Sequence, residues 1–447
     1  MMSRDDLMTD SGGRWMVSRR DAMRGVAVVA GCALLSPEVA LGGAAKLRSE
    51  DEAFLDDLER RGCLFFWEQG SPDTGQVLDR ARNDGDGRRD SRRMASIAST
   101  GFGLAALCIA DKRGYLPHAQ VVERVKATLG WHLNRLEEVH GFYYHFADIE
   151  SGKRWAQCEL SSIDTSILLC GVLTARGYFD DGRIKSLAQQ IYERVDWPWM
   201  LNGGDAFSMG WNPESGFLQS RWSHYCELMM IYLLALGSKT HPVAAKTWNS
   251  FSRPVVHYEG YEYISGRDPL FTHQYSQAWF DFRGRRDAYA NYFENSVTAT
   301  HAHKAFCLSH PEWYSEDYWG VSASDSAQGY VAWGGPPAIG PLDGTVVPCA
   351  AGGSLAFVPA DCLAVLRAMR SKWGKRAWGR YGFVDAFHPA ADWYDPDVIG
   401  IDLGISVLMA ENLRSGAIWD WFMRNAECGQ AMQLAGFKAQ DSHSRSA

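Results

Sequence analysis

The stretch SRWSHYCELMMIYLLALGS, residues 220–238, decides the fold prediction because most of it carries no charge. From Leu228 to Leu236 every residue is apolar or aromatic, which is typical of a helix that is buried on all sides. One acid, Glu227, stands directly before this run. Burying a carboxylate is costly unless it is paired, hydrogen-bonded or neutralised, so Glu227 is the first candidate functional residue.

Helical patterns of two kinds recur along the chain. Residues 95–114 and 161–179 are apolar nearly all round, whereas residues 119–139 and 180–197 are amphipathic. Buried helices beside half-buried ones fit two concentric rings, an inner ring covered on both sides and an outer ring wetted on one. The sequence therefore predicts an all-α protein with an (α/α)6 barrel, a double-ring toroid. Strand alternation is weak, and residues 141–156 predict one small hairpin.

Long aromatic connections rich in Gly and Pro interrupt the helices at residues 196–222, 310–354 and 381–404. Loops of this length in a compact domain are usually functional, so we expect them to form the rim of a cleft at one end of the toroid. The helical pattern resumes after each loop. We therefore predict a single catalytic domain at residues 46–430, followed by a polar C-terminal tail at residues 431–447.

The N-terminal residues 1–45 have the pattern of an export signal. Arg19 and Arg20 precede a short apolar stretch at residues 25–35, as in a twin-arginine signal. An alternative is a lipoprotein signal with a lipid anchor at Cys32. Either route predicts a periplasmic or secreted protein, and no later stretch is long and apolar enough to span a membrane.

Composition narrows the function classes. The net charge of −8 argues against nucleic-acid binding, which needs a basic surface. The 18 Trp, 18 Tyr and 20 Phe fit an aromatic core or a groove that stacks sugars. The ten Cys are scattered, so we expect buried free thiols rather than a disulfide framework. No metal or cofactor motif is present, and His301 and His303 are spaced so that they point to different sides of a helix. We expect a monomer without cofactor.

Two interpretations of Glu227 remain open from its neighbours alone. A carboxylate near a helix N-terminus is stabilised by the helix dipole, which is a purely structural role. Burial against Trp222 and Tyr225 should raise its pKa and make it a general acid. Pairing with Arg221 would have the opposite effect on the pKa.

Four further acids are candidates. Asp164 is the sole acid within a buried helical run, and Glu159 precedes that helix. Asp402 begins another helix, where the alternative role is an N-cap. Asp385 lies in an aromatic loop and is a weaker candidate, as a substrate-binding residue.

Two carboxyl groups that flank one bond are the usual machinery of glycoside hydrolysis. We therefore predict an exported glycoside hydrolase with Glu227 as general acid and Asp402 or Asp164 as base, with Glu159 close by. Sugar binding is predicted for Arg221, Trp211, Trp222, Tyr225, Asp385 and Trp393.

Nine sequence blocks in order resemble the glycoamylase-like domain family, across residues 50–424. The blocks are SSIDTSILLCGVL, VDWPWMLNGG, SMGWNPESGFL, RWSHYCELMMIYLLALGS, THPVAAKTW, PLFTHQYSQAWFDFRG, DGTVVPCAAGGSLAF, YGFVDAFHP and GIDLGISVLMAENLRSG. The resemblance implies an (α/α)6 barrel and inverting hydrolysis of a glucan, most simply a β-1,2-glucan. The acids of three blocks fall on Glu227, Asp164 and Asp402.

Four alternatives follow from the same residues. They are glycosyl transfer, glucoamylase activity on α-glucans, glucan binding without catalysis, and a lyase or epimerase that uses His224, Tyr225 and Arg221 at the reacting carbon.

Overall fold

The computed structural model describes residues 47–266 and 269–440, together with the backbone of two paired segments, Met8–Thr9 and Trp15–Met16. The predicted export signal at residues 1–45, including Cys32, otherwise lies outside the described residues. Within the described part of the chain, no helix is both long and apolar enough to cross a membrane.

Helices are the main regular structure of the described chain. In order they are α1 (Ser49–Glu68), α2 (Ile97–Lys112), α3 (His118–Asn134), α4 (Ser162–Tyr178), α5 (Gly182–Glu193), α6 (Trp197–Leu201), α7 (Met229–Gly237), α8 (Tyr275–Trp279), α9 (Tyr292–Leu308), α10 (Pro348–Gly352), α11 (Pro359–Trp373), α12 (Gly400–Ser415), α13 (Ala417–Met423) and α14 (Ala426–Leu434). Short 3-10 turns lie at Ala245–Asn249, Leu270–His273, Gly374–Arg376 and Pro389–Ala391.

Short antiparallel strands join the helices, and they are more numerous than the single hairpin predicted. The two-stranded pairs are Glu138–Val139 with Phe142–Tyr143, Val255–Tyr258 with Tyr261–Ile264, Arg285–Arg286 with Lys438–Ala439, Ala323–Ser326 with Gly329–Ala332, Trp378–Gly379 with Gly382–Phe383, Phe387–His388 with Trp393–Tyr394, and Arg80–Arg82 with Asp397–Ile399. The three-stranded sheets are Val77–Leu78, Met94–Ser96 and Phe146–Asp148, and Leu160–Ser161, Gly210–Asn212 and Gly216–Phe217. Strands this short lack a clear period-2 signal, which is why the sequence did not reveal them.

The helices form two layers, and the predicted all-α toroid is confirmed. Helices α2, α4, α7 and α12 are buried along almost their whole length. Helix α2 packs against α1, α4 and α12, and α7 packs against α14. Outer helices are buried on one face only; α5, for example, buries its apolar face and exposes the rest. The difference between inner and outer sequences follows from this layering.

Two glycines allow the inner helices α2 and α4 to touch backbone to backbone. A Cβ atom added at Gly171 would lie 2.0 Å from the carbonyl oxygen of Gly101, and one added at Gly101 would lie 2.4 Å from the carbonyl oxygen of Ile167. These distances are far below van der Waals contact, so any larger residue at either position would force the helices apart.

The packed chain continues past the domain boundary predicted at residue 430. Helix α14 ends at Leu434, and both Met432 and Phe437 are buried. The apolar residues at these positions dock the chain end onto the domain, so the tail begins later than predicted.

The nine described cysteines are all buried and unbridged, as expected.

Candidate active site

Glu227 lies in the turn that leads into the buried helix α7, and its side chain is almost fully buried, with 1% of the residue exposed. The first turn of α7 receives no cap from its own N-cap residue, Leu228. Ser276 of α8 serves instead: its hydroxyl accepts from the Met230 N–H (3.0 Å) and donates to the Glu227 carbonyl oxygen (2.6 Å). An orphan N–H of the helix start is thereby satisfied from another helix, which fixes the backbone that carries Glu227.

Helix α8 also connects Glu227 to Asp402. Tyr275, the neighbour of Ser276, directs its hydroxyl at the Asp402 carboxylate, with 3.5 Å between Tyr275 Oη and Asp402 Oδ1. Consecutive residues of α8 therefore touch the segments that carry the two acids. The structure brings Glu227 and Asp402, which are far apart in sequence, to the same end of the inner ring.

Asp402 is not the N-cap of α12, which was the structural alternative. The N-cap position is Ile399, and Asp402 lies in the first turn of the helix. Its carboxylate is near the positive end of the helix dipole, which favours the ionised form. The Cys349 side chain is hydrogen-bonded to Asp402, and burial raises the pKa of this thiol, so that it remains a donor.

Asp164 occupies the matching position in the first turn of α4, and Glu159 lies before the helix as predicted. Ser161 is the N-cap: its hydroxyl accepts from the Asp164 N–H (3.2 Å) and donates to Asp164 Oδ2 (2.6 Å). His145 lies between the two acids, with Nε2 3.4 Å from Asp164 Oδ2 and Nδ1 3.5 Å from Glu159 Oε1.

Sequence reasoning missed His145. It belongs to the loop before the strand Phe146–Asp148, and its ring stacks on Phe146 at 3.9 Å. The aromatic run around it was a signal for a strand, but no spacing rule relates it to Asp164 or Glu159. The α4 helix start is in turn tied to the Glu227 segment, because the Trp222 indole N–H donates to Ser162 Oγ (2.8 Å).

Three residues predicted to hold sugars have other roles. Trp222 and Tyr225 are 3% and 0% exposed, so their rings form the wall behind Glu227 and present no face for stacking. Arg221 donates to the carbonyl oxygens of Leu201 (2.9 Å) and Ala206 (2.7 Å). These bonds hold the loop before Glu227.

Trp211 and Trp393 remain suitable for sugar contacts because both are only half-buried. Trp211 is on a strand that pairs with Leu160–Ser161, next to Glu159. It adjoins Trp199 at 5.7 Å between ring centroids, and Trp199 in turn adjoins Phe217 at 4.9 Å. An aromatic surface thus extends outward from the acidic centre.

Asp385 is also buried, to the same extent as Asp402. Together with Asp402 and Cys349 it lines a small, mostly apolar cavity at the start of α12. Its Oδ2 accepts a hydrogen bond from the Asp325 N–H (2.8 Å). The sequence did not indicate Asp325, which comes from the hairpin Ala323–Ala332 in the long loop at residues 310–354.

A buried ionic network lies behind Asp385. Three carboxylates, those of Asp325, Asp395 and Asp397, each have an oxygen within 4.8 Å of the others. Arg80 is bound to Asp325 (2.5 Å) and Arg92 to Asp397 (2.6 Å), so arginines balance most of this charge. Burial, and then the charge of Asp325, raise the pKa of Asp395 to about 8. We assign no metal site to this network.

The arrangement places isolated carboxyl groups at the N-terminal starts of three buried helices, α4, α7 and α12. Each acid is held by bonds to its own backbone or to a neighbouring helix. Acid–base cleavage of an acetal needs two carboxyl groups that flank one bond, and Glu227 and Asp402 are the two acids whose segments both contact α8.

Several known proteins are similar to this chain. The family model described as "Putative glucoamylase" matches residues 219–426, the part that carries Glu227, Asp385 and Asp402. The resemblance to the glycoamylase-like family is confirmed. A similar curated protein is the exo β-1,2-glucooligosaccharide sophorohydrolase (non-reducing end) of Parabacteroides distasonis, 26% identical over 425 residues. The match covers 86% of this chain, which spans 58% of the length of that relative.

Solved structures of the glycoamylase-like kind superpose over most of the chain. The endo-β-1,2-glucanase of Chitinophaga pinensis, solved with sophorotriose and glucose, has a TM-score of 0.80 at 26% identity. The match covers 87% of this chain and 98% of that one. A protein of Bacteroides uniformis described as a putative glucoamylase has a TM-score of 0.81 at 26% identity, with 88% and 99% covered.

Proposed function

We propose that the protein is an exported glycoside hydrolase that cleaves a β-1,2-glucan by carboxylate acid–base catalysis. The observation that supports the proposal is that two acids with buried side chains, Glu227 and Asp402, lie on segments contacted by consecutive residues of α8. Ser276 bonds the Glu227 carbonyl oxygen and Tyr275 bonds the Asp402 carboxylate. The similarity to a β-1,2-glucanase and to a sophorohydrolase supports the linkage.

In this mechanism Glu227 is the general acid. Its burial disfavours the charged form, which suits a group that must give a proton to the leaving glycosidic oxygen. The proton passes directly or through a hydroxyl group of the substrate. The raised pKa that this role needs is a prediction of the proposal.

Asp402 is the base in this mechanism. Its place in the first turn of α12 stabilises the ionised form, so that it can take a proton from the attacking water. Attack from the face opposite the leaving group inverts the anomeric centre. Asp164, Glu159 and His145 form a polar wall that binds sugar hydroxyls, since Asp164 is already engaged by Ser161.

The family description favours a second candidate, an α-glucan glucoamylase. Incubation of the purified protein with β-1,2-glucan, β-1,3-glucan, starch and maltooligosaccharides separates the two. We expect new reducing ends from β-1,2-glucan, and NMR should first detect the α-anomer if the reaction inverts a β-linkage. Product from starch alone would contradict the proposed linkage.

The acid assignment is tested by Glu227→Gln, which keeps the size of the buried side chain. Loss of a general acid lowers kcat by roughly 10²- to 10⁴-fold. Glu214→Gln is the matched control, because Glu214 is exposed and paired with Arg154. Wild-type kcat in Glu227→Gln would refute the assignment.

Export rests on the twin-arginine pattern at residues 1–45. Expression of the full chain in a bacterium, followed by fractionation, should recover the protein outside the cytoplasm. Changing Arg19 and Arg20 to Lys should retain it inside.

A further inference from the structure

The mechanism does not use Asp385, although it lies next to the base. Its carboxyl group is buried at the wall of the cavity that Asp402 also lines. The backbone of Asp385 is fixed, because its N–H donates to the Asp397 carbonyl oxygen (3.0 Å). Asp385 is therefore a buried neighbour of Asp402 with a fixed backbone.

The two oxygens of Asp385 differ. Oδ2 accepts the Asp325 N–H at 2.8 Å, whereas Oδ1 is buried without a hydrogen-bond partner among the described residues. A buried carboxylate whose charge is spread over an unsolvated oxygen is strongly disfavoured. A carboxylic acid with its proton on Oδ1 keeps the bond at Oδ2 and removes the charge.

The surroundings of Asp385 are mostly acidic. Five titratable or charged groups lie around it, each from a different element. They are Asp402 of α12, Cys349 of α10, Asp325 of the hairpin Ala323–Ala332, Asp395 before the strand Asp397–Ile399, and Arg80 of the strand Arg80–Arg82. Arg80 is committed to Asp325 (2.5 Å) and Asp79 (3.0 Å). Burial, then the charge of Asp402 and those of Asp325 and Asp395, raise the pKa of Asp385 well above its usual range.

We propose that Asp385 stays protonated beside Asp402 at neutral pH, and that this leaves Asp402 as the ionised member of the pair. The inference rests on the proposed role of Asp402 as base. In this role Asp385 acts on the charge of Asp402, so it is a positioning residue. An ionised Asp385 would place a second negative charge beside the base, where the nearby Arg80 is already paired with Asp325 and Asp79.

A pH-dependent unfolding experiment tests this without any glucan. Urea unfolding is followed between pH 5 and pH 9 for the wild type, for Asp385→Asn and for Asp420→Asn. Asn has nearly the size of a protonated Asp and keeps an acceptor for the Asp325 N–H. Asp420 is exposed and paired with Arg424, so it serves as the control.

The sign follows from the raised pKa. In the unfolded chain Asp385 loses its proton at about pH 4. In the folded state it keeps the proton to a higher pH. The stability that this proton contributes is complete below about pH 4 and is lost as the pH rises through the folded pKa. The unfolding constant of the wild type, divided by that of Asp385→Asn, should therefore rise by up to about tenfold per pH unit.

For Asp420→Asn we expect the unfolding constant to change with pH in the same way as that of the wild type. If the ratio of the wild-type unfolding constant to that of Asp385→Asn does not change with pH, the inference is overturned. Failure of Asp385→Asn to fold at pH 7 also overturns it, because the amide would then replace a neutral acid of nearly the same size. A wild type inactive on every glucan refutes the proposed function and leaves the unfolding result standing.

Discussion

Replacing Gly171 by Ala tests the close contact between α2 and α4. The new Cβ would lie 2.0 Å from the Gly101 carbonyl oxygen and 2.8 Å from the Gly101 Cα. These are backbone atoms, which cannot rotate away, so the helices must separate. Overpacking of this kind costs about 1–3 kcal/mol, and Ala recovers up to about 1 kcal/mol of helix propensity relative to Gly. We expect a net loss of up to about 2 kcal/mol.

Thermal unfolding measures this loss, which corresponds to a fall in Tm of up to about 2–3 °C for a domain of this size. Gly130→Ala in α3 is the matched control, because a Cβ atom added at Gly130 would meet nothing within 4 Å. The control should gain up to about 1 kcal/mol from propensity alone. If Gly171→Ala is as stable as Gly130→Ala, the contact does not limit the spacing of the inner ring, and the reasoning fails.

Two further predictions concern the site. Ser161→Ala removes the N-cap of α4 and the 2.6 Å bond to Asp164, so we expect the free energy of unfolding, measured in urea, to fall by about 1 kcal/mol. Ser161→Thr keeps a hydroxyl group and should retain most of this stability. An equal loss in both variants would contradict the capping role. Trp211→Ala removes a half-buried ring beside Glu159, and a loss of about 1–2 kcal/mol of binding predicts a five- to thirtyfold rise in KM for long glucans with little change in kcat. An unchanged KM would exclude Trp211 from the substrate path.

Much of the fold prediction rested on the pattern of apolar residues along the helices. The apolar runs of α2, α4, α7 and α12 mark inner helices because a helix buried on all sides has no polar face. Glu227, Asp164 and Asp402 were found for the same reason, since a single acid stands out against an apolar run. The short strands were missed, because two or three residues do not establish a pattern.

The sequence by itself determined the layers of the toroid and the acids within its buried helices, because both are local patterns of side chains. Only the tertiary structure decided the partners: His145 between two acids, Ser276 at the start of α7, and Asp325 against Asp385. It also decided that the rings of Trp222 and Tyr225 are buried in the protein and are not exposed as a binding surface. These contacts join segments that are distant in sequence, and packing, not spacing along the chain, determines which of them meet.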